Sequence, residues 1–353
     1  MGDMVAPASA SLGPGRLRRL RLAAQRLTPS SAAADPRAAA RAVVGVQAQD
    51  VHSARLALRS RVPGLEMSAL DGPGLVRTWT ARGTAHLVDS EDLPWLHAVF
   101  GQRNRLRLDQ QLDERGGRPI AVAMVDDMLA LLNERPQHRA ALLLELAERG
   151  HPNLPSRAVN VFVPWAVAHG LILGLADGRL GPAQELPLVE EDEALTTLAR
   201  RYLAGYGPAT EQDMASWSGL PLAVVRRAVG AMGELERSED LLALPGALDV
   251  DAPSAPKVLL LAAFDTVMLG YRHRAPLVAA EHDRHVLPGG GMLRPVVLVD
   301  GAAAGTWRLE GSGKRRALRV HSFGADPSAA EFQREAQDVA RFLELHVEAV
   351  CGE

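Results

Sequence analysis

The chain has 353 residues, 47% of them hydrophobic and 23% charged; that is the composition of a globular protein of two or three domains, and no apolar run approaches the roughly 20 residues a membrane helix requires. A single cysteine, Cys351, excludes a disulfide framework and a cysteine metal cluster, and two lysines, Lys257 and Lys314, against 37 arginines leave few amines for Schiff-base chemistry. The net charge of −3 speaks against a uniformly basic nucleic-acid binder, but it averages over regions of opposite sign.

Residues 1–15 are rich in Gly, Pro, Ser and Ala and are expected to be disordered; the first six show neither a signal-peptide nor a myristoylation pattern, so a cytoplasmic location is expected. From Arg16, the leucines 17, 20, 22 and 27 among arginines predict a basic amphipathic helix. Pro36 opens a second helix running through residues 38–44. Next comes Gly45-Val46-Gln47-Ala48-Gln49-Asp50. On extended backbone Gln47 and Gln49 point the same way, whereas on a helix they lie about 200° apart. Two carboxamides sharing a face offer one water both an acceptor and a donor; in a simple helix-to-helix turn they are merely solvated. A third helix is predicted over residues 53–61, with Arg55, Arg59 and Arg61 exposed and available to phosphates. Residues 1–61 carry ten Arg against three acids, +7. Residues 76–79 and 84–88 alternate as strands across Ala81-Arg82-Gly83, and three helices followed by a hairpin make a winged helix.

The order recurs. Helices are predicted over 119–133 and 137–149, a third runs from Pro155 through Trp165 and His169, and strands 171–175 and 179–180 flank the turn Asp177-Gly178. A third instance has helices 192–203, 210–217 and 222–232, the last two joined by Ser218-Gly219-Leu220-Pro221 as in a helix-turn-helix, with short strands around Leu235 and over 241–244. Residues 185–253 hold five Arg against thirteen acids, −8.

From Pro256 the chain becomes β-rich, with strands expected over 258–264, 295–299 and 305–309 and a closing helix over 327–349. The run Gly289-Gly290-Gly291 lacks the lysine and following helix of a phosphate-binding loop and reads as a turn. Residues 257–321 return to ten basic against five acidic, +5. Two basic regions separated by an acidic one imply a polyanion-facing side. Tyr271, Arg272, His273, Arg274, His282, Arg284 and His285 form a basic, aromatic-bearing loop suited to a DNA groove. Trp79, His86, Trp165 and Trp217 read as core. No histidine spacing points to a metal, and no cofactor is expected. The divisions are a disordered 1–15, winged helices over 16–118, 119–189 and 190–255, and a C-terminal β-domain with its helix over 256–353.

Five ordered motifs carry a family resemblance: Gly45 to Asp50; Trp79 with Arg82-Gly83-Thr84-Ala85-His86-Leu87-Val88; Tyr206-Gly207-Pro208-Ala209-Thr210 with Asp213, Trp217 and Gly219; Phe264-Asp265 with Leu269-Gly270-Tyr271-Arg272; and Gly290-Gly291-Met292 with Arg294-Pro295. Over residues 16–345 the chain resembles the bacterial AlkZ-like DNA glycosylases, the winged-helix DNA-binding-domain family. The resemblance implies an α+β fold of three tandem winged helices and a C-terminal β-domain forming a concave DNA channel. It also implies excision of alkylated purines from double-stranded DNA, including bulky N7-alkylguanine adducts and, in some members, interstrand crosslinks; with one channel per chain a monomer is expected, and no membrane partner is expected. The family's Gln-x-Gln motif matches Gln47 and Gln49 as catalytic residues, whereas the related branch with an acid at the second position differs at Gln49.

The chemistry fits. Alkylation at N7 leaves a cationic base that departs readily, so little acid catalysis is needed and positioning a water suffices. Scarce lysine points to a monofunctional hydrolase. A non-catalytic winged-helix DNA-binding protein or transcriptional regulator shares the architecture but has no need of two convergent carboxamides.

Overall fold

The computed structural model describes residues 11–324 and 328–351; the disorder expected for residues 1–15 falls, for 1–10, outside the described residues. Helix α1 (Pro14–Ala24) opens the described chain, inside the stretch expected to be disordered. There follow α2 (Pro36–Ala42), β1 (Val46–Gln47), α3 (Val51–Arg59), β2 (Leu75–Trp79), β3 (Ala85–Asp89), α4 (Leu93–Glu114), α5 (Arg118–Ala123), α6 (Val125–Glu134), α7 (Arg139–Glu148), α8 (Ser156–Ala168), β4 (Ile172–Leu175) and β5 (Leu180–Pro182). The remainder comprises α9 (Glu191–Tyr206), α10 (Glu211–Ser218), α11 (Leu222–Gly230), β6 (Glu236–Ser238), β7 (Leu241–Ala243), β8 (Val258–Leu261), α12 (Thr266–Leu269), α13 (Asp283–Val286), β9 (Val296–Val299), β10 (Ala302–Glu310), β11 (Arg315–Ser322), α14 (Ala329–Phe342) and β12 (His346–Cys351). The class is α+β. The chain divides into two compact units, one spanning Ala34–Leu198 and the other joining the chain up to Ala33 with that from Ala199 onward.

Within Ala34–Leu198 the apolar centre is α8, whose Ala158, Val161, Phe162, Trp165 and Ala166 are buried. Around it pack buried Leu108 and Leu112 of α4, Met128 and Leu132 of α6 and Leu142 and Leu146 of α7. The 22-residue α4 has no counterpart among the expected elements. Its apolar residues are interrupted by Arg103, Arg105 and Arg107, so its helical period is weak, and packing along α8 stabilises it. The helix expected over 119–133 is two helices, α5 and α6, meeting at Met124.

One five-stranded sheet, ordered β1-β3-β2-β4-β5, crosses this unit. The hairpins β2–β3 and β4–β5, expected in separate winged helices, pair with each other antiparallel through Val76 opposite Leu175 and Arg77 opposite Gly174. Gly174 permits the approach, since a Cβ there would lie 2.8 Å from the Arg77 Cβ and 2.9 Å from its carbonyl oxygen.

In the second unit, α10 begins at a capping box between Thr210 and Asp213 and ends at Gly219 in the left-handed conformation, φ 73°. With α11 and the β6–β7 hairpin it reproduces the expected helix-turn-helix followed by a short hairpin. The C-terminal sheet is ordered β12-β11-β10-β9-β8. Strand β11 was not expected, because arginines interrupt its apolar alternation. The closing helix, expected through residue 349, ends at Phe342; Glu344 turns the chain at φ 53°, and β12 then pairs in parallel with β11. Among the described residues no helix is long and apolar enough to cross a membrane.

Candidate active site

Strand β1 is two residues long and lies at the edge of its sheet, with Val46 opposite Leu87 and Gln47 opposite His86. It is aimed by the turn before it. Val44 and Gly45 both take positive φ, 56° and 88°, and the Gly45 N–H closes onto the Ala40 carbonyl at 2.7 Å. A Cβ at Gly45 would lie 2.6 Å from Cγ1 of Val88 and 3.1 Å from the Leu87 carbonyl oxygen. Gly45→Ala is therefore expected to lower unfolding stability by about 1–3 kcal/mol, because it adds both strain and overlap. Urea unfolding checks it; unchanged stability would show that β3 moves aside freely.

The backbone is extended over Val46 and Gln47, and Ala48 and Asp50 beyond it are each anchored. The Ala48 N–H donates to the Ala85 carbonyl at 2.7 Å, and its own carbonyl accepts from Arg77 Nε at 2.7 Å. The Arg77 guanidinium lies 4.9 Å over the Trp79 ring; burial, followed by the charge of Arg139, lowers its pKa. Asp50 caps α3, accepting from the His52 and Ser53 N–H groups at 3.1 and 3.3 Å and from the Ser53 hydroxyl at 2.6 Å, so its carboxylate is committed to the helix. Gln47 is buried, 7% exposed, and Gln49 is exposed.

The two carboxamides meet. Gln47 Nε2 donates to Gln49 Oε1 at 3.1 Å, and Arg82 Nη2 donates to Gln47 Oε1 at 3.2 Å. Arg82 sits at φ 53° in the turn between β2 and β3, and α4 fastens that turn from beneath. Asn104 Nδ2 donates to the Trp79 carbonyl at 2.9 Å, and Arg107 Nη2 donates to the Gly83 carbonyl at 2.8 Å. His86, 2% exposed, faces Gln47 across the strand pair and Thr78 across the next. Its Nδ1 donates to the Thr84 carbonyl at 3.0 Å, since a carbonyl can only accept. Burial, with the Arg82 charge second, pushes its pKa down to about 3, so the imidazole is neutral. A cavity of about 300 Å³ adjoins the same turn, lined by Thr78, Thr80, His97 and Asn104, but neither glutamine lines it.

This arrangement contains donors, acceptors and one cation, with no carboxylate placed as a general base. After their mutual bond, one Gln47 N–H, a second lone pair on Gln49 Oε1 and both Gln49 N–H groups remain for other partners. Such a set can hydrogen-bond a water but holds no group placed to deprotonate it.

The arginines expected to stand exposed on α3 do not. Arg59 and Arg61 are 3% and 0% exposed; Arg59 Nη2 donates to the Ser60 hydroxyl at 3.2 Å and Arg61 Nη1 to the Ala57 carbonyl at 2.7 Å. Arg55 bonds the Ala176 carbonyl at 3.1 Å and Asp71 at 2.8 Å. The cause is packing: much of α3 is buried, and the guanidinium groups of Arg55 and Arg61 satisfy backbone carbonyls.

The loop after α12, in the other unit, is mixed. Tyr271 is 4% exposed, donates to the Tyr206 carbonyl at 3.0 Å and carries the Arg21 guanidinium 3.9 Å over its ring; burial pushes its phenol pKa up. It is core, not groove-facing. Arg274 is bound to Asp283 at 2.5 and 2.9 Å. Arg272, His273 and Arg284 are exposed. His282 stacks on Phe323 with centroids 4.5 Å apart, and His285 lies 5.7 Å from His321; burial and the surrounding cationic groups lower the His285 pKa.

Comparison with known proteins decides the family. The family model described as DNA glycosylase AlkZ-like matches residues 40–342, a span that includes the glutamine pair, the Arg82 turn and strands β8 to β11 of the C-terminal sheet. The chain belongs to the AlkZ-like DNA glycosylases. It is therefore an enzyme of the DNA glycosylase class, and the alternative of a non-catalytic regulator is set aside. It is similar to an interstrand DNA cross-link repair glycosylase of Streptomyces sahachiroi, 27% identical over 304 residues, 75% of this chain and 80% of that protein. Its fold matches the solved DNA glycosylase AlkZ of Streptomyces sahachiroi with a TM-score of 0.72 at 21% identity, over 97% of this chain and 100% of that one. Arg82 is the residue that a reading centred on the glutamines passes over. Its signal was an Arg-Gly pair at a hairpin turn, where a left-handed arginine is unusual enough to suggest a task.

Proposed function

We propose that this AlkZ-like glycosylase is monofunctional and hydrolyses the N-glycosidic bond of cationic alkylated purines, N7-alkylguanine above all, with Gln47 and Gln49 placing the attacking water. The observation that carries the reading is the Gln47–Gln49 hydrogen bond at 3.1 Å in a site without a placed carboxylate base. Neutral carboxamides are weak catalysts, so the bond they cleave must already be weak, as it is when the base carries a positive charge. The water accepts from a glutamine N–H and donates to Gln49 Oε1, which leaves a lone pair for the sugar carbon as the glycosidic bond lengthens; bulk water takes its proton afterwards. The crosslink-repair relative extends the substrate range to bulky adducts and crosslinks.

The winged-helix units and the exposed Arg272, His273 and Arg284 supply the duplex contacts in this reading, with His282 and His285 beside them in sequence. Lys257 and Lys314 offer few amines to a Schiff-base lyase, and Lys257 is ion-paired with Asp300 at 2.8 Å, which raises its pKa.

A duplex carrying one 7-methylguanine, incubated with the protein and then treated with alkali, is expected to be cut at the lesion, and an undamaged duplex is not. Borohydride is expected to trap no protein–DNA adduct. No cut at either 7-methylguanine or a bulkier N7 adduct sinks the reading.

A further inference from the structure

The glutamine pair has a polarity, and something must set it. A carboxamide's oxygen and nitrogen are close in size, and a flipped Gln47 would exchange donor for acceptor at Gln49. A guanidinium has donors only. With Arg82 Nη2 3.2 Å from Gln47 Oε1, the flipped amide would meet it donor to donor. Gln47 is thus held with its nitrogen toward Gln49, 3.1 Å from Oε1, and Gln49 in turn is held with its own nitrogen pointing away. Hydrogen bonds in a directed chain polarise one another, so the positive charge at one end is felt at the other.

The surroundings support a dedicated role. Arg82 adopts φ 53° beside Gly83 at φ 64°, and the turn is fastened by Asn104 and Arg107 of α4; a left-handed arginine in a braced turn is kept against local preference. Thr84 Oγ1 adds a bond to the Ala81 carbonyl at 3.1 Å. Neutral His86 on the facing strand leaves Arg82 as the cation acting on Gln47.

We infer that Arg82 is a positioning residue: it fixes the orientation of the Gln47 carboxamide and through it that of Gln49, so that the pair presents one defined set of donors and acceptors to the water. This rests on the water-placing reading of the glutamine pair. An arginine serving a DNA phosphate would show its loss in duplex affinity, and one serving only the hairpin would show it in thermal stability.

The test compares Arg82→Lys, Arg82→Gln, Gln47→Ala and the double variant Arg82→Gln/Gln47→Ala by single-turnover excision of 7-methylguanine at saturating protein, by duplex affinity and by thermal melting. Arg82→Gln, whose amide can accept as well as donate, is expected to excise about tenfold or more slowly, the scale of a hydrogen bond to a charged group, with unchanged melting and duplex affinity within about twofold. Arg82→Lys keeps a donor-only group and should retain more activity than Arg82→Gln. The double variant should be no slower than Gln47→Ala, because Arg82 acts through that amide. Additive losses in the double variant, a loss confined to affinity or melting, or Arg82→Gln at the wild-type rate overturns the assignment. A wild-type rate for Gln47→Ala instead removes the glutamine reading itself, a distinct outcome from a slow Gln47→Ala beside a fast Arg82→Gln.

Discussion

Gln49→Ala is expected to fold and bind duplex as the wild type does, yet to excise 7-methylguanine about 100-fold or more slowly. Gln49 is exposed, so its truncation opens no cavity and costs little stability; Ala48, pinned by Ala85 and Arg77, keeps the strand in place. In the proposed mechanism what disappears is the acceptor that orients the water, and losing one preorganised polar group in a catalytic site has effects of this order. Gln47→Ala should be at least as damaging, because it removes both the donor to Gln49 and the acceptor for Arg82. The wild-type rate should be flat between about pH 6 and pH 9, since carboxamides do not titrate there and His86 stays neutral. Single-turnover rates across that range check both statements. An acidic limb with a midpoint inside it would reveal a base that the glutamine reading does not contain, and wild-type rates for both alanine variants would remove the pair from the mechanism.

The second large effect concerns stability. His86 has a folded pKa of about 3 against 6.5 when unconstrained, lowered first by burial and then by Arg82. The unfolded chain therefore binds the proton more readily than the folded one. Stability is fully present above pH 6.5 and is lost as the pH falls from 6.5 toward 3, at about 1.4 kcal/mol per pH unit from this one group. Between pH 7 and pH 5 the loss is about 2 kcal/mol. His97 acts in the same direction, because burial and then Arg105 lower its pKa, so the His86 share must be isolated by difference. Urea unfolding of the wild type and His86→Gln at both pH values does so. The variant starts less stable but should lose about 2 kcal/mol less on acidification; parallel losses would mean that His86 is reached by water. Asp89 contributes in a lower window. Its carboxylate, held by Arg37 and Arg41 at 3.0 and 2.9 Å, has a pKa below 3.8 despite its burial, so its contribution is present above that value and lost only as the pH falls beneath it.

Much of the architecture was legible along the chain because it is locally encoded. Pro36 at a helix start, Ser218-Gly219-Leu220-Pro221 between α10 and α11 and Asp177-Gly178 at the β4–β5 hairpin are local signals that need no distant partner. What escaped is stabilised from elsewhere. Helix α4 depends on α8, β11 on β10 at its side, and β12 on a sheet edge contributed by residues 24 or more positions earlier. The same division runs through the site residues. Exposure of Arg55, Arg59 and Arg61 was inferred from their place on a helix, but much of α3 is buried, and burial is decided by what packs around an element rather than by its own period. Tyr271 sits in a loop rich in basic residues, yet its ring is taken by Arg21 and its hydroxyl by Tyr206.

By itself the sequence determined the α+β class, the helix-turn-helix spacing, and a Gln-x-Gln pair whose side chains would share a side if the backbone were extended, because side-chain alternation, capping and turn chemistry act over a few residues. Only the tertiary structure decided that β1 is extended at all, since a two-residue strand exists through its pairing with β3 and the glycine turn behind it. It alone brought Arg82, 35 residues along the chain, onto Gln47. Donor direction and desolvation depend on atoms from distant segments meeting at hydrogen-bond distance, and no local pattern specifies that meeting.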